Sequence, residues 1–228
     1  MGGKKEGRLM LMVSEAPRVI RTERNFIVTF TGRKFWPLDP RAEEIDIQDI
    51  AHALSLVCRW TGHTYCHYSV AEHSLRVSKL AEQLTMAEHG ALSARVTAAR
   101  EIALWGLLHD ASEAYLSDFA RPLKHFTEFG KLYNLFEEQL TAAIVERFDL
   151  MPHRPSVVRT ADRVVVQTEG RDLIPNFTKD MDEEPLPEAI FPMDPQRTEV
   201  EFLRRFNALT MERMVERAAE ISSPRKAS

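Results

Sequence analysis

The segment VTAAREIALWGLLHD, residues 96–110, limits the folds open to this chain more than any other stretch. Its apolar residues do not alternate as a half-buried strand would require. They cover nearly the whole circumference of a helix, which predicts a central buried element. The run Ile102–Leu108 leads straight into an imidazole, His109, and a carboxylate, Asp110, and two more acids, Glu113 and Asp118, follow closely. An ionisable pair at the end of a buried helix needs a reason.

The rest of the chain supplies partners for such a helix. Asp46 is placed as the N-cap of a helix whose stripe is Ile47, Ile50, Ala51, Leu54, Val57 and Cys58. Ser69 and Glu72 have capping-box spacing and open a helix with Val70, Val77, Leu80, Ala81 and Leu84 on one face. Leu132, Leu135, Phe136, Leu140, Ala143, Ile144 and Phe148 mark another amphipathic helix. A further helix starts near Ser156, after Pro155, and runs to about Leu173, and Asp194 followed by Pro195 starts a last one near 195–219. Before these, the alternation in NFIVTF and the turn TGRK predict a small N-terminal β-ribbon over 26–37. The fold class is all-α: a single helical bundle over residues 25–221. A flexible segment precedes it over 1–24, and a disordered tail follows over 222–228. Residues 176–196 hold four prolines and six acids and read as a long irregular loop, the kind that is functional or mobile.

Size and charge narrow the function classes. With 228 residues, 44% of them hydrophobic, the chain can bury one sizeable core. A net charge of −4 argues against broad electrostatic capture of a nucleic acid polymer. No apolar run approaches the ~18 residues that span a membrane, and the N-terminus lacks a signal-peptide pattern. The two cysteines, Cys58 and Cys66, form no Cys-x-x-Cys and read as reduced thiols, so the expected location is cytoplasmic.

Three helices aim ionisable groups inward. His73 is three residues after Val70 and four before Val77, on the apolar stripe. Asp162 is four after Val158 and three before Val165, again on the buried side. His109 and Asp110 close the central helix. A lone buried histidine is usually a hydrogen-bonded core residue. A buried unpaired carboxylate costs on the order of several kcal/mol. Four such groups in one small domain need a common partner, and a divalent metal is the economical one. Two imidazoles and two carboxylates suit Mn, Fe, Co or Zn. Adjacent helical residues point ~100° apart, so a metal shared by His109 and Asp110 must sit in the groove beside the helix end.

The HD dipeptide, the earlier His in SVAEHS and the later Asp in TADRVVVQ resemble the signature of the HD-domain metal-dependent phosphohydrolases. RW at 59–60, VAEHSL at 70–75, HDASEAYLSD at 109–118 and RPLK at 121–124 resemble more closely the YfbR-type 5′-deoxynucleotidase branch and related dNTP hydrolases. The likeness covers about residues 47–170. It implies that His73, His109, Asp110 and Asp162 hold one divalent transition metal, which neutralises phosphate charge and lowers the pKa of a bound water. It implies that Glu113 acts in water activation or proton transfer and that Asp118 meets the sugar or the leaving oxygen. Arg59 would grip phosphate, Trp60 would wall the sugar or base, and Lys124 would add a phosphate contact.

Each residue also has a plain structural reading. Glu113 is four after His109 and shares its face if the helix continues; its plain reading is a surface acid in a helix's last turn. Asp118 caps the turn DFARPLK, Arg59 and Trp60 end a helix, and Lys124 is solvated. The capping box accounts for Glu72, and His63 and His67 are surface or packing histidines. The expected activity is metal-dependent hydrolysis of a small nucleotide, a (deoxy)nucleoside 5′-monophosphate first. A dNTP triphosphohydrolase is the alternative, needing cations such as Arg121 or Arg33 along the phosphate chain. A non-catalytic nucleotide-binding regulatory module is the third reading. Family members often form homodimers, and the resemblance extends that expectation to this chain.

Overall fold

A computed structural model describes residues 19–88, 92–178 and 183–222. The expectations for residues 1–18 and for the tail 223–228 fall outside the described residues. Two central helices, α2 (Val70–Met86) and α3 (Leu92–Leu108), pack against each other along their length. Their approach is close because Gly106 has no side chain: a Cβ there would lie 3.0 Å from the Cα of Ser78. Ser78 Oγ donates to the Ala103 carbonyl at 2.7 Å across the same contact. The sequence assigns α2 one apolar face, but its first half is buried nearly all round, Glu72, His73 and Ser74 included.

The remaining elements wrap this pair. A two-stranded antiparallel ribbon pairs β1 (Ile27–Val28) with β2 (Lys34–Phe35), with Ile27 opposite Phe35. Helix α1 (Ile47–Leu56) begins at Asp46, whose side chain accepts from the Gln48 amide, and packs on α8 (Pro195–Ser222). Helix α6 (Glu128–Phe148) follows the short α5 (Arg121–Phe126) after one residue, Thr127, whose hydroxyl accepts from the Gly130 amide. Helix α7 (Ser156–Leu173) lies against α2 and α3. Side chains from all layers, including Phe35, Leu54, Leu75, Leu104, Ile144, Val165 and Phe202, share one core. The fold is all-α with a small N-terminal ribbon, as the sequence predicts.

Four local expectations are corrected. Helix α3 ends at Leu108, so His109 and Asp110 stand just beyond it. There Ala111 bonds back to Leu108, and Glu113 to Asp110, in i→i−3 turns before the short α4 (Glu113–Leu116). The capping box is half made. Ser69 accepts from the Glu72 amide, but the Glu72 carboxylate turns to Arg76 and to the Met193 amide instead. Leu132 is exposed, and Tyr133 takes the buried position. Arg59 and Trp60 do not end a helix: α1 stops at Leu56, and an isolated bridge between Cys58 and Ser69 intervenes.

The described part of the acidic loop, residues 176–178 and 183–194, has no helix or strand. It is strapped to the bundle by backbone amides, Leu186 to Thr168 Oγ1, Ile190 to Asp172 and Met193 to Glu72. Residues 19–24 lie against the fold through Arg21, which pairs with Asp39 and Glu44 at 2.6 Å each.

Candidate active site

The close packing of α2 and α3 brings two imidazoles together. His73 projects from α2, and His109 follows the last turn of α3. Their Nε2 atoms are 3.3 Å apart. Each ring has its other nitrogen committed. His73 Nδ1 donates to Glu169 Oε1 at 2.6 Å, and His109 Nδ1 donates to the Gly106 carbonyl at 2.8 Å. Both partners only accept, so both rings carry a hydrogen on Nδ1, and each ring in its neutral form turns the Nε2 lone pair toward the same point. Two Nε2 atoms this close need a proton or a metal ion between them.

The carboxylates complete the set. Asp110 Oδ2 lies 3.1 Å from His109 Nε2 and 3.7 Å from His73 Nε2. Ligand atoms of His73, His109 and Asp110 all fall within 4.8 Å of one another. The turn beyond Leu108 is what lets two adjacent residues face one point. Asp162, on α7, is half-buried rather than buried. Its Oδ1 is 3.1 Å from His73 Nε2 and 3.9 Å from His109 Nε2, while Arg154 Nη2 donates to its Oδ2 at 2.8 Å. This mixed nitrogen and oxygen set fits a divalent transition metal, with each imidazole oriented by an acceptor behind it.

A cavity of about 1290 Å³ opens in front of the cluster and is lined by Arg59, Trp60, Asp118 and Lys124 among others. Glu113 also faces it. Lys124 Nζ donates to Glu113 Oε1 at 2.9 Å and to Glu137 Oε1 at 3.2 Å, so this lysine is engaged rather than solvated. Glu113 Oε2 is buried with no hydrogen-bond partner among the described residues. Asp118 does not cap the following helix. Ala120 occupies that position, and Asp118 lines the cavity instead. Arg121 lines it too, whereas Arg33 pairs with Asp46 at 3.0 Å away from it. His67 meets the Ser55 carbonyl, and His63 is exposed.

The charges are strongly interdependent. Burial and the nearby Arg59 charge oppose protonation of His73, yet Glu169 and Asp162 outweigh them and push it up to about 9. Asp110 resists burial because His109, His73 and Arg59 hold its carboxyl well below the usual range. Burial, with Asp110 and Asp118 nearby, pushes Glu113 up to about 8 against the pull of Lys124. Burial raises Asp118 as well. Glu169, though buried, is brought down to about 2 by Arg59 and His73.

Glu169 is the residue that sequence reasoning missed. It is fully buried on α7 and accepts from His73, Arg59 and Trp60 together. The available signal was its position seven residues after Asp162, two turns along the same helix face.

Comparison with known proteins shows the family. A model of the 5′-deoxynucleotidase YfbR-like family matches residues 48–155, the stretch from α1 past Lys124. The uncharacterized protein YfdR of Escherichia coli K12 is 34% identical over 191 residues, 82% of this chain and 96% of that one. An uncharacterized protein of Rhodobacter capsulatus is 37% identical over 151 residues, 63% of this chain and 70% of its own length. A 5′-deoxynucleotidase of Vibrio atlanticus is 26% identical over 128 residues, 49% of this chain and 66% of its own. The helical bundle with its paired histidines is that of an HD-domain phosphohydrolase, a hydrolytic enzyme. Within that class, the chain belongs to the YfbR-like 5′-deoxynucleotidase family. No helix among the described residues is long and apolar enough to cross a membrane.

Proposed function

We propose that the protein hydrolyses the 5′-phosphomonoester of a deoxynucleoside monophosphate to the deoxynucleoside and inorganic phosphate. The observation that carries this reading is the pairing of the two converging Nε2 atoms with the free, buried Oε2 of Glu113 at one cavity. His73, His109, Asp110 and Asp162 would hold a divalent metal, Mn, Co, Fe or Zn. When bound, the ion supplies charge neutralisation for the phosphate and a more acidic water.

The protein's own groups do the rest. Arg59, charged and held against Glu169 and Asp110, presents a guanidinium to phosphate oxygens. Trp60 forms an aromatic wall on the same side. Glu113 Oε2, in its carboxylate form, accepts the proton of the attacking water, and Lys124 fixes the other oxygen so that Oε2 stays aimed at the cavity. The bond from phosphorus to the ester oxygen breaks, and Asp118, raised by burial, gives a proton to the departing 5′-oxygen.

The supply of cations favours one phosphate over three. Lys124 is neutralised by two carboxylates, Arg33 lies elsewhere, Arg154 is paired with Asp162 and Arg163 with Glu183. Arg59, itself paired with Glu169 and Asp110, reaches the metal cluster as the principal phosphate grip, and Arg121 is the further cavity-lining arginine on which a triphosphate would have to draw. Incubation of the Co- or Mn-loaded protein with dAMP and with dATP, beside a His109→Ala control, tests the reading. Inorganic phosphate from dAMP supports it. Tripolyphosphate from dATP with dAMP untouched replaces it with a triphosphohydrolase, and turnover of neither favours a regulatory nucleotide-binding module.

A further inference from the structure

Glu169 lies behind the site rather than in it, and none of the steps above uses it. Its carboxylate is fully buried. Oε1 takes the Nδ1 hydrogen of His73 at 2.6 Å. Oε2 takes the Nε1 hydrogen of Trp60 at 3.0 Å and the Nε hydrogen of Arg59 at 3.2 Å. One carboxylate thus joins a residue of the metal cluster to the two residues on the phosphate and sugar side.

The local backbone does not hold these residues by itself. Trp60 and Thr61 both have positive φ, 56° and 52°, a region costly for residues with a side chain. Such a turn persists only where its surroundings impose it. The Trp60 ring is fixed at its Nε1 edge by Glu169 and on another side by the edge of Phe177, 5.9 Å between centroids. Arg59, without Glu169, would keep Asp110 near its far end, at 3.6 Å, with Asp118 and Asp162 also attracting it, and would lose its aim.

We infer that Glu169 is a positioning residue that couples the grip on metal to the grip on phosphate. It fixes the His73 ring with Nε2 facing the cluster, and with its second oxygen it aims Arg59 and Trp60 into the cavity. The inference rests on the phosphohydrolase reading for what Arg59 and Trp60 contact. An acceptor-only group is required because all three neighbours donate. A glutamine in its place offers one acceptor oxygen and one NH₂, and the NH₂ must face a donor. Glu169→Gln therefore satisfies His73 or the Arg59–Trp60 pair, but not both.

The test uses the full chain as wild type, Glu169→Gln and Glu169→Asp, each checked for helix content by circular dichroism. The first readout needs no metal and no substrate. It is the exchange protection of the His73 Nδ1 proton by NMR, with Trp60 fluorescence beside it. The second is Co titration followed by visible absorption, and the third is KM and kcat for dAMP. In wild type the Nδ1 proton is shielded from exchange. In Glu169→Gln the Co dissociation constant, the KM for dAMP or both rise about 10- to 100-fold. The Nδ1 proton or the Trp60 emission shifts with them. Glu169→Asp, which keeps two acceptor oxygens, recovers part of the loss and carries the test if the glutamine variant does not fold. A folded Glu169→Gln with lower thermal stability but unchanged Co affinity, KM, Nδ1 protection and Trp60 emission overturns the positioning role and leaves the hydrolase reading standing. An unprotected Nδ1 proton in wild type overturns it too. A protected proton, sensitive to Glu169→Gln, in a wild-type protein that turns over neither dAMP nor dATP supports the positioning role while the hydrolase reading falls.

Discussion

Gly106 and Ser78 touch backbone to backbone: a Cβ on Gly106 would stand 3.0 Å from Ser78 Cα and 3.2 Å from its amide nitrogen. The glycine is one turn before His109, and Ser78 is on the helix that carries His73. The separation of the two imidazoles is therefore set by a contact that contains no ligand.

Gly106→Ala tests this relationship. Alanine favours a helix by about 1 kcal/mol over glycine. Here the clash is with backbone, which cannot rotate away, and overpacking of this kind costs about 1–3 kcal/mol. The net effect is a lower Tm, and the two helices move apart. Co affinity falls as well, although no ligand has changed. Calorimetric melting and a Co titration of the same variant check both halves.

The metal cluster should be a measurable source of stability. A ligand at about 100 times its Kd stabilises the native state by about 2.7 kcal/mol. For a chain of this size that is a rise in Tm on the order of 5–10 °C. Co added to chelator-treated wild type should produce this shift, and the His109→Ala variant should show little of it, because only one converging imidazole remains. Differential scanning calorimetry with and without Co decides it.

Glu113→Gln should lower kcat by about 10²- to 10⁴-fold while leaving Co affinity near wild type, since the loss is of a proton acceptor and not of a ligand. The same variant has a pH signature in the metal-free protein. Burial pushes Glu113 up to about 8, from an ordinary value of 4.5 in the unfolded chain. The folded state thus binds the proton more tightly, and the penalty for the charged carboxylate is full above about 8. It is relieved as pH falls through that value toward 4.5. The Tm of Glu113→Gln relative to wild type should improve as pH rises from 6 to 9, as melting curves across that range would show.

Lys124→Met acts on the same carboxylate from the other side. It removes the cation that opposes the rise in the Glu113 pKa and leaves Glu113 and Glu137 without their shared partner. The basic form of Glu113 then appears only at higher pH. The expected result is a loss of kcat at pH 7 on the order of 10-fold, with partial recovery toward pH 9, seen as an alkaline displacement of the rising limb of the pH–rate profile.

Much of this arrangement was legible in local spacing. The positions of His73 and Asp162 between apolar neighbours placed both toward the interior, and the apolar run before His109 marked the central helix. What spacing did not carry was set by partners distant in sequence. Glu169 reads locally as one more charge on a polar helix end. Its burial depends on Arg59, Trp60 and His73, brought in from about 100 residues away. Glu72 shows the converse, since its local motif was complete and yet a tertiary partner, Met193, took its carboxylate. The end of α3 escaped because a change from i→i−4 to i→i−3 bonding leaves no mark on hydrophobic periodicity. Lys124 escaped because Glu137 lies on the next helix, across the turn at Thr127.

The strap from Met193 to Glu72 spans 121 residues, and the bond from His73 to Glu169 spans 96. A ribosome delivers His73, His109 and Asp110 well before α7 and the loop behind it exist. The nascent chain therefore holds His109 by its local bond to the Gly106 carbonyl but has no acceptor behind His73, and closure of such distant contacts is slow. The proposed ligand set is complete only once α7 has emerged, and a chain halted before α7 lacks both Asp162 and the acceptor behind His73.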